Sequence, residues 1–242
     1  MTIFRIITIW VFVFFWTASA AQVTAGKITY ERRTNLYKKL KGDWVKEWVK
    51  EEDKNKIDFF ELYFSDTLSV FKPKDDGLKE RLSWTTSKNS VYQNFNTKQL
   101  FSVKPIWGEE LYLKDSLRTR KWKITDGKRK ICGYDCRKAI WQANDSVRIY
   151  AWYTDWIIPS TGPESFNGLP GTILGLATED GGVVYFAKSV ELNKPTAEDY
   201  ALPKMSKKTK VYEEEELKAK LEKDFGDFPW GKSMISENFG VW

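Results

Sequence analysis

The chain has 242 residues, with 42% hydrophobic and 30% charged residues and a net charge of +6. That composition belongs to a folded chain rather than a disordered one. Histidine is absent. This excludes His-based triads, His general bases and HExxH zinc sites. Two cysteines exclude a Cys₄ metal site and a dense disulfide framework.

The first segment reads as an export signal. Arg5 precedes an apolar run from Ile6 to Trp16, and Ala18-Ser19-Ala20 supplies an A-x-A cleavage site. The run is about half of the ~20 residues a membrane span needs. Residues 1–20 are therefore expected to be removed, leaving an exported chain, periplasmic or secreted. Removing Arg5 leaves 38 basic against 33 acidic residues, or +5. Bases and acids are interleaved, as in Lys46 to Lys54, which describes a mixed solvated surface. No nucleic-acid partner is expected.

Lys27 to Arg33 reads as a strand. From Leu36 to Glu52, Leu36, Leu40, Trp44 and Trp48 recur every four residues and predict a helix, weakened by Gly42. The period then changes to two. Phe60, Leu62 and Phe64 alternate with Glu61 and Tyr63, Ser65-Asp66 turns the chain, and the pattern resumes to Pro73. Short strands follow at Val91–Phe95, Leu100–Lys104, Glu109–Lys114 and Arg120–Thr125, with Asp126-Gly127 predicted as a hairpin turn. Further strands are predicted at Cys136–Gln142, Val147–Thr154, Thr172–Thr178 and Val183–Val190, the last two joined at Asp180-Gly181-Gly182. Acids at Glu213–Glu216, ahead of Leu217, Leu221 and Phe225, predict a C-terminal helix near 213–225. Short connections favour antiparallel neighbours. The expected architecture is mainly β (α+β): one domain over 21–242, with a curved antiparallel sheet, by analogy a half-barrel, and flanking helices.

Two places hold candidate chemistry. Cys132 and Cys136 are close in an exported chain, which favours a disulfide. Four extended residues would place their Cα atoms ~13 Å apart, too far for a bridge unless Gly133-Tyr134 turns the chain. A bridge, two free thiols and a redox site all stay open on these residues. The second place is the aromatic strand carrying Trp152 and Tyr153, which runs into a loop rich in Pro and Gly. Trp152, Tyr153, Pro159, Phe166, Gly168, Leu169, Pro170 and Gly171 are the candidate binding residues. A packed corner of the sheet is the competing reading. No acid pair is forced together by spacing. No catalytic residue, metal site or cofactor is expected.

The series Trp122-Lys-Ile-Thr-Asp126, Lys130 to Ala139 with its Gly133-Tyr134-Asp135-Cys136, Ala151-Trp-Tyr-Thr154, Ile158-Pro159, Gly162-Pro163, Phe166 and Gly168-Leu-Pro-Gly171-Thr-Ile173 resembles the GLPGLI family of exported Gram-negative proteins. Thr172 departs from the family's Leu, and Gly175 stands where members carry an acid. Cys136 matches the family's Gly-Tyr-x-Cys and Cys132 is an addition, which counts against a family-wide bridge. The resemblance implies export and no particular reaction. The expected function is non-catalytic binding of an apolar ligand, a peptide or an outer-membrane protein, through a concave sheet face and the 157–171 loop, with peripheral association with the outer membrane. A thiol- or carboxylate-dependent enzyme and a structural accessory subunit are the alternatives.

Overall fold

The computed structural model describes residues 22–40, 44–74, 82–228 and 230–239. The expected leader, residues 1–20, lies outside them. Alternation makes the strands. In β2 (Asn55–Phe64) every second residue from Lys56 to Phe64 is buried while Ile57 and Phe59 face out. β1 (Gly26–Asn35) buries Ile28 and Tyr30 in the same way. β3 (Leu68–Pro73), β4 (Ser90–Asn94), β5 (Gln99–Ile106) and β6 (Glu109–Ser116) follow as a meander. β7 (Lys123–Ile131), β8 (Tyr134–Asn144), β9 (Val147–Thr154), β10 (Thr172–Thr178) and β11 (Val183–Glu191) form the other half. β12 (Val211–Tyr212) is a two-residue strand.

These strands make one open sheet in the order β12-β6-β5-β4-β3-β2-β1-β11-β10-β9-β8-β7. β1 pairs with both β2 and β11 and joins the two meanders. All pairs are antiparallel except β12 beside β6, so the sheet is mixed. β7 forms one edge, and its exposed Lys123, Lys128, Arg129 and Lys130 discourage pairing with another chain.

The sheet is strongly curled. β4 and β8 are seven strand steps apart. A flat sheet would separate them by about 34 Å. Val91 of β4 and Trp141 of β8 nevertheless line the same cavity. The concave side is filled by a core drawn from both halves, including Tyr30, Phe60, Phe71, Tyr153, Phe166 and Tyr185. Phe60 stacks on Phe71 at 4.8 Å, and Tyr185 meets both edge-on.

Three expectations are corrected. The helix predicted over 36–52 is broken into α1 (Leu36–Lys39) and α2 (Trp44–Trp48), followed by a 3₁₀ turn at Glu51–Asp53. Gly42 lies outside the described residues. Leu36, Val45 and Val49 form the buried stripe, while Trp48 is exposed. The hairpin turn is not at Asp126-Gly127. Neither residue takes a positive φ, and β7 runs through them with a register irregularity between Ile124 and Lys128. The turn sits at Cys132 (φ 49°) and Gly133 (φ 85°), between the paired Ile131 and Tyr134. Positive φ at both central residues is what a two-residue I′ hairpin requires. The expected disulfide is not formed: Cys132 and Cys136 are free thiols. Cys132 is exposed on the turn, where its Sγ donates to Ala187 O at 3.1 Å, while Cys136 is buried in the core.

At the C-terminus, α3 (Glu214–Phe225) matches the prediction, and α4 (Gly231–Phe239) is an addition. Leu217 and Leu221 pack on Ile106, Leu111 and Leu113, so α3 flanks the β5–β6 end of the sheet.

Candidate functional site

The 155–171 loop folds into the concave side of the sheet. Backbone bonds from Thr172 to Ile157 (2.9 Å) and from Ile173 to Thr161 (2.8 Å) hold its two ends to each other. Side chains fix its middle. Arg120 Nη1 and Nη2 donate to Ser165 O (2.9 Å) and Ser165 Oγ (3.1 Å). Trp122 Nε1 donates to Asn167 O at 2.9 Å, and Asn167 Nδ2 donates to Gln93 Oε1 at 2.9 Å. Gly171 sits at φ 137° against the end of β9, where a Cβ would collide with the carbonyl of Thr154.

The eight expected binding residues do not share one surface. Tyr153, Phe166 and Leu169 are core residues, and Pro159 and Gly171 are buried. Trp152 is half-buried on the other face of β9, where Arg129 covers its ring at 4.5 Å. Gly168 and Pro170 are exposed. Phe166 lines a cavity.

That cavity, about 110 Å³, lies between the loop, β4–β6, β8 and the two C-terminal helices. Its polar wall includes Lys104, Arg118, Arg120, Glu164 and Glu214. Glu164 has a positive φ of 54°, and its Oε1 accepts from Tyr185 Oη at 2.7 Å. Burial pushes its carboxyl pKa up, against the Tyr185 bond and the charges of Arg32 and Lys104. Burial lowers the Lys104 pKa despite Glu164 and Glu214 nearby, and Lys104 Nζ donates to Asn238 O at 2.7 Å. Arg120 is stacked over Phe166 at 4.4 Å and Trp141 at 5.2 Å. Burial, with Arg118 adding repulsion, brings its pKa down to about 10.

Behind Glu164 runs an ionic network. Arg32 Nη1 donates to Tyr185 Oη at 3.4 Å and to Ser87 O at 2.8 Å. Arg32 Nη2 pairs with Asp58 Oδ2 at 2.7 Å, and Lys56 Nζ with Asp58 Oδ1 at 2.6 Å. The Asp58 side chain is fully buried. Burial opposes its charge, yet Arg32 and Lys56 outweigh that and hold its pKa below the usual range.

Sequence reasoning found the loop and missed the cavity. Its cations come from β5 and from the 117–122 connection, far from the loop in sequence. Alternation places Lys104 inward beside Ser102, and that was the available signal.

Fold and cavity together define an open, curled β-sheet protein with a pocket of mixed charged and apolar lining under a tightly held loop. Residues 141–175, from the end of β8 through the loop into β10, match a family model described as a protein of unknown function (Porph_ging). None of the curated proteins matches the chain. Among solved structures, PNGF-II in its P21 and C2 crystal forms is similar, with TM-scores of 0.52 and 0.53 at 18% and 17% identity. Each match covers 78% of this chain and 31% of that one, so this chain spans about a third of the PNGF-II length. The likeness is one of fold alone. An uncharacterized conserved protein from Thermus thermophilus gives a TM-score of 0.40 at 8% identity, over 78% of this chain and 90% of its own.

Proposed function

We propose that the chain is an exported, non-catalytic envelope protein of the GLPGLI type, which binds its ligand on the concave face of the sheet, against the 157–171 loop. The observation that carries this reading is the cavity walled by Glu164, Ser165 and Phe166 of that loop and by β4–β6. Its small size and the charged groups in its wall favour a small ligand with polar groups over the apolar ligand, peptide or outer-membrane protein expected from the sequence. A thiol enzyme is disfavoured because Cys136 is 1% exposed and burial pushes its thiol up to about 12. Two of the three acids lining the cavity are held by other groups, Glu164 by Tyr185 and Glu214 by Arg118 and Lys218. No helix among the described residues is long and apolar enough to cross a membrane.

The test is affinity purification of the chain from its native envelope, with mass spectrometry for proteins, lipids and small molecules. The expected result is a chain beginning near Ala21 or Gln22 that carries a bound small molecule. Full-length chain in the membrane pellet contradicts the export reading, and a chain without any companion contradicts the binding reading.

The accessory-subunit reading has its own observation. Trp107 (66% exposed), Phe225, Phe228 and Trp230 cluster where the β5–β6 turn meets the helices, with Trp107 and Trp230 4.8 Å apart. An exposed aromatic patch of this kind suits a protein partner. Trp107→Ser then weakens co-purification of a protein and leaves the small molecule in place.

A further inference from the structure

Four residues lining the cavity carry a buried polar atom with no hydrogen-bond partner among the described residues: Asn89 Oδ1, Ser102 Oγ, Arg120 Nε and Asn238 Oδ1. Such atoms are costly when left unpaired, so most buried polar groups are satisfied. Ser102, Arg120 and Asn238 are 3%, 8% and 9% exposed, which keeps bulk water from satisfying them cheaply. The cavity charge points the same way. Arg118 is matched by Glu214 and Lys104 has Glu164 and Glu214 nearby, but Arg120 has no carboxylate ion-pair partner among the described residues. A buried cation without a counter-charge is strongly unfavourable.

We infer that this cavity is a binding site for a small carboxylic acid that also carries a hydroxyl or amino group. The carboxylate matches Arg120 and Lys104, which offer N–H donors and a positive charge. The hydroxyl or amino hydrogen matches the two Asn carbonyl oxygens, which can only accept. Ser102 can serve either part. Val91, Leu100, Leu113 and Phe166 leave an apolar wall for a short carbon chain. The cavity volume of about 110 Å³ is several times the 10–15 Å³ that one water needs, and too small for a lipid chain or a folded peptide. The lowered pKa of Arg120, caused by burial and the neighbouring Arg118, fits a charge held away from water without an anion.

The inference rests on the concave face being a binding surface, and it can fail separately: a neutral molecule recovered from the envelope leaves that reading standing and removes the carboxylate. The test is thermal shift and titration calorimetry on the full mature chain. The probes are lactate and alanine, with propionate lacking the donor, lactamide lacking the charge, and inorganic phosphate as a different anion. Lactate or alanine should stabilise the protein and bind saturably, propionate should bind more weakly, and lactamide should not bind. Ser102→Ala, which removes one hydroxyl from a small site, should keep its circular dichroism and melting temperature and bind about fivefold more weakly. Arg120→Gln should abolish binding. The inference is overturned if the folded protein takes up neither acid at up to ~10 mM, which would saturate any site with a Kd below ~1 mM. Equal binding of lactamide, preference for phosphate, or unchanged affinity in Ser102→Ala also overturns it.

Discussion

Tyr185 donates its phenolic proton to Glu164 across 2.7 Å, joining the centre of the sheet to the loop that walls the cavity. Tyr185 is also within reach of Arg32, which is held by Asp58. A wall residue of the candidate site is thus the outer end of a hydrogen-bonded chain that begins in β2. Glu164 keeps a strained backbone, and this chain is one of the contacts that hold it.

Removing the anchor of that chain should be costly. Asp58→Asn leaves Arg32 and Lys56 facing a neutral amide, and breaking a buried pair costs about 3–5 kcal/mol. For a chain of this length that lowers the melting temperature by roughly 6–20 °C. The pH dependence follows from the sign of the shift. The folded-state pKa of Asp58 lies below its ordinary 3.8. Its stabilisation is complete above the unfolded pKa and disappears as pH falls through the lower folded value. Wild-type protein should therefore lose more stability than Asp58→Asn between about pH 5 and pH 2. Parallel melting curves across that range would contradict the role of the ion pair.

Gly171 and Gly168 separate steric need from conformational preference. Gly171→Val places a branched side chain against the Thr154 carbonyl at φ 137°. It should cost about 3 kcal/mol or more and lower the melting temperature by at least about 6 °C. Gly168 has φ 91°, but a Cβ there meets nothing closer than Trp122 Nε1 at 3.6 Å. Gly168→Ala should cost only about 1 kcal/mol. Similar melting temperatures for the two variants would mean that the corner tolerates the collision.

The thiols should behave as two unlike, unlinked groups. Cys132 is exposed, whereas Cys136 is buried with its pKa pushed up to about 12. Iodoacetamide should label Cys132 first in native protein and both thiols after denaturation without reductant. Failure to label either thiol under those denaturing conditions would mean that the two are bridged.

Alternation made most strands legible. Val147–Thr154 and Thr172–Thr178 have the predicted bounds, because inward Ile149, Ala151 and Tyr153 and the buried run of β10 carry a clear pattern. Pairing over long range was not legible. Nothing local in Lys27–Arg33 says that β1 must lie between β2 and β11. Asp126-Gly127 misled because turn propensity is local, while β8 pairs on either side of that dipeptide and absorbs it as an irregularity. The loop was legible as a structured feature, through Gly168-Leu-Pro-Gly171. The cavity was not, because Lys104, Arg120, Trp141 and Asn238 meet only once the sheet has curled and the C-terminal helix has docked.

The most direct test of the ligand-binding account is native mass spectrometry of mature chain extracted gently from its own envelope, wild type beside Arg120→Gln. The account predicts a wild-type species carrying one small acid, released on denaturation, and an Arg120→Gln species at the mass of the bare polypeptide. Wild-type protein that flies at the bare polypeptide mass, or an adduct retained equally by Arg120→Gln, would contradict it.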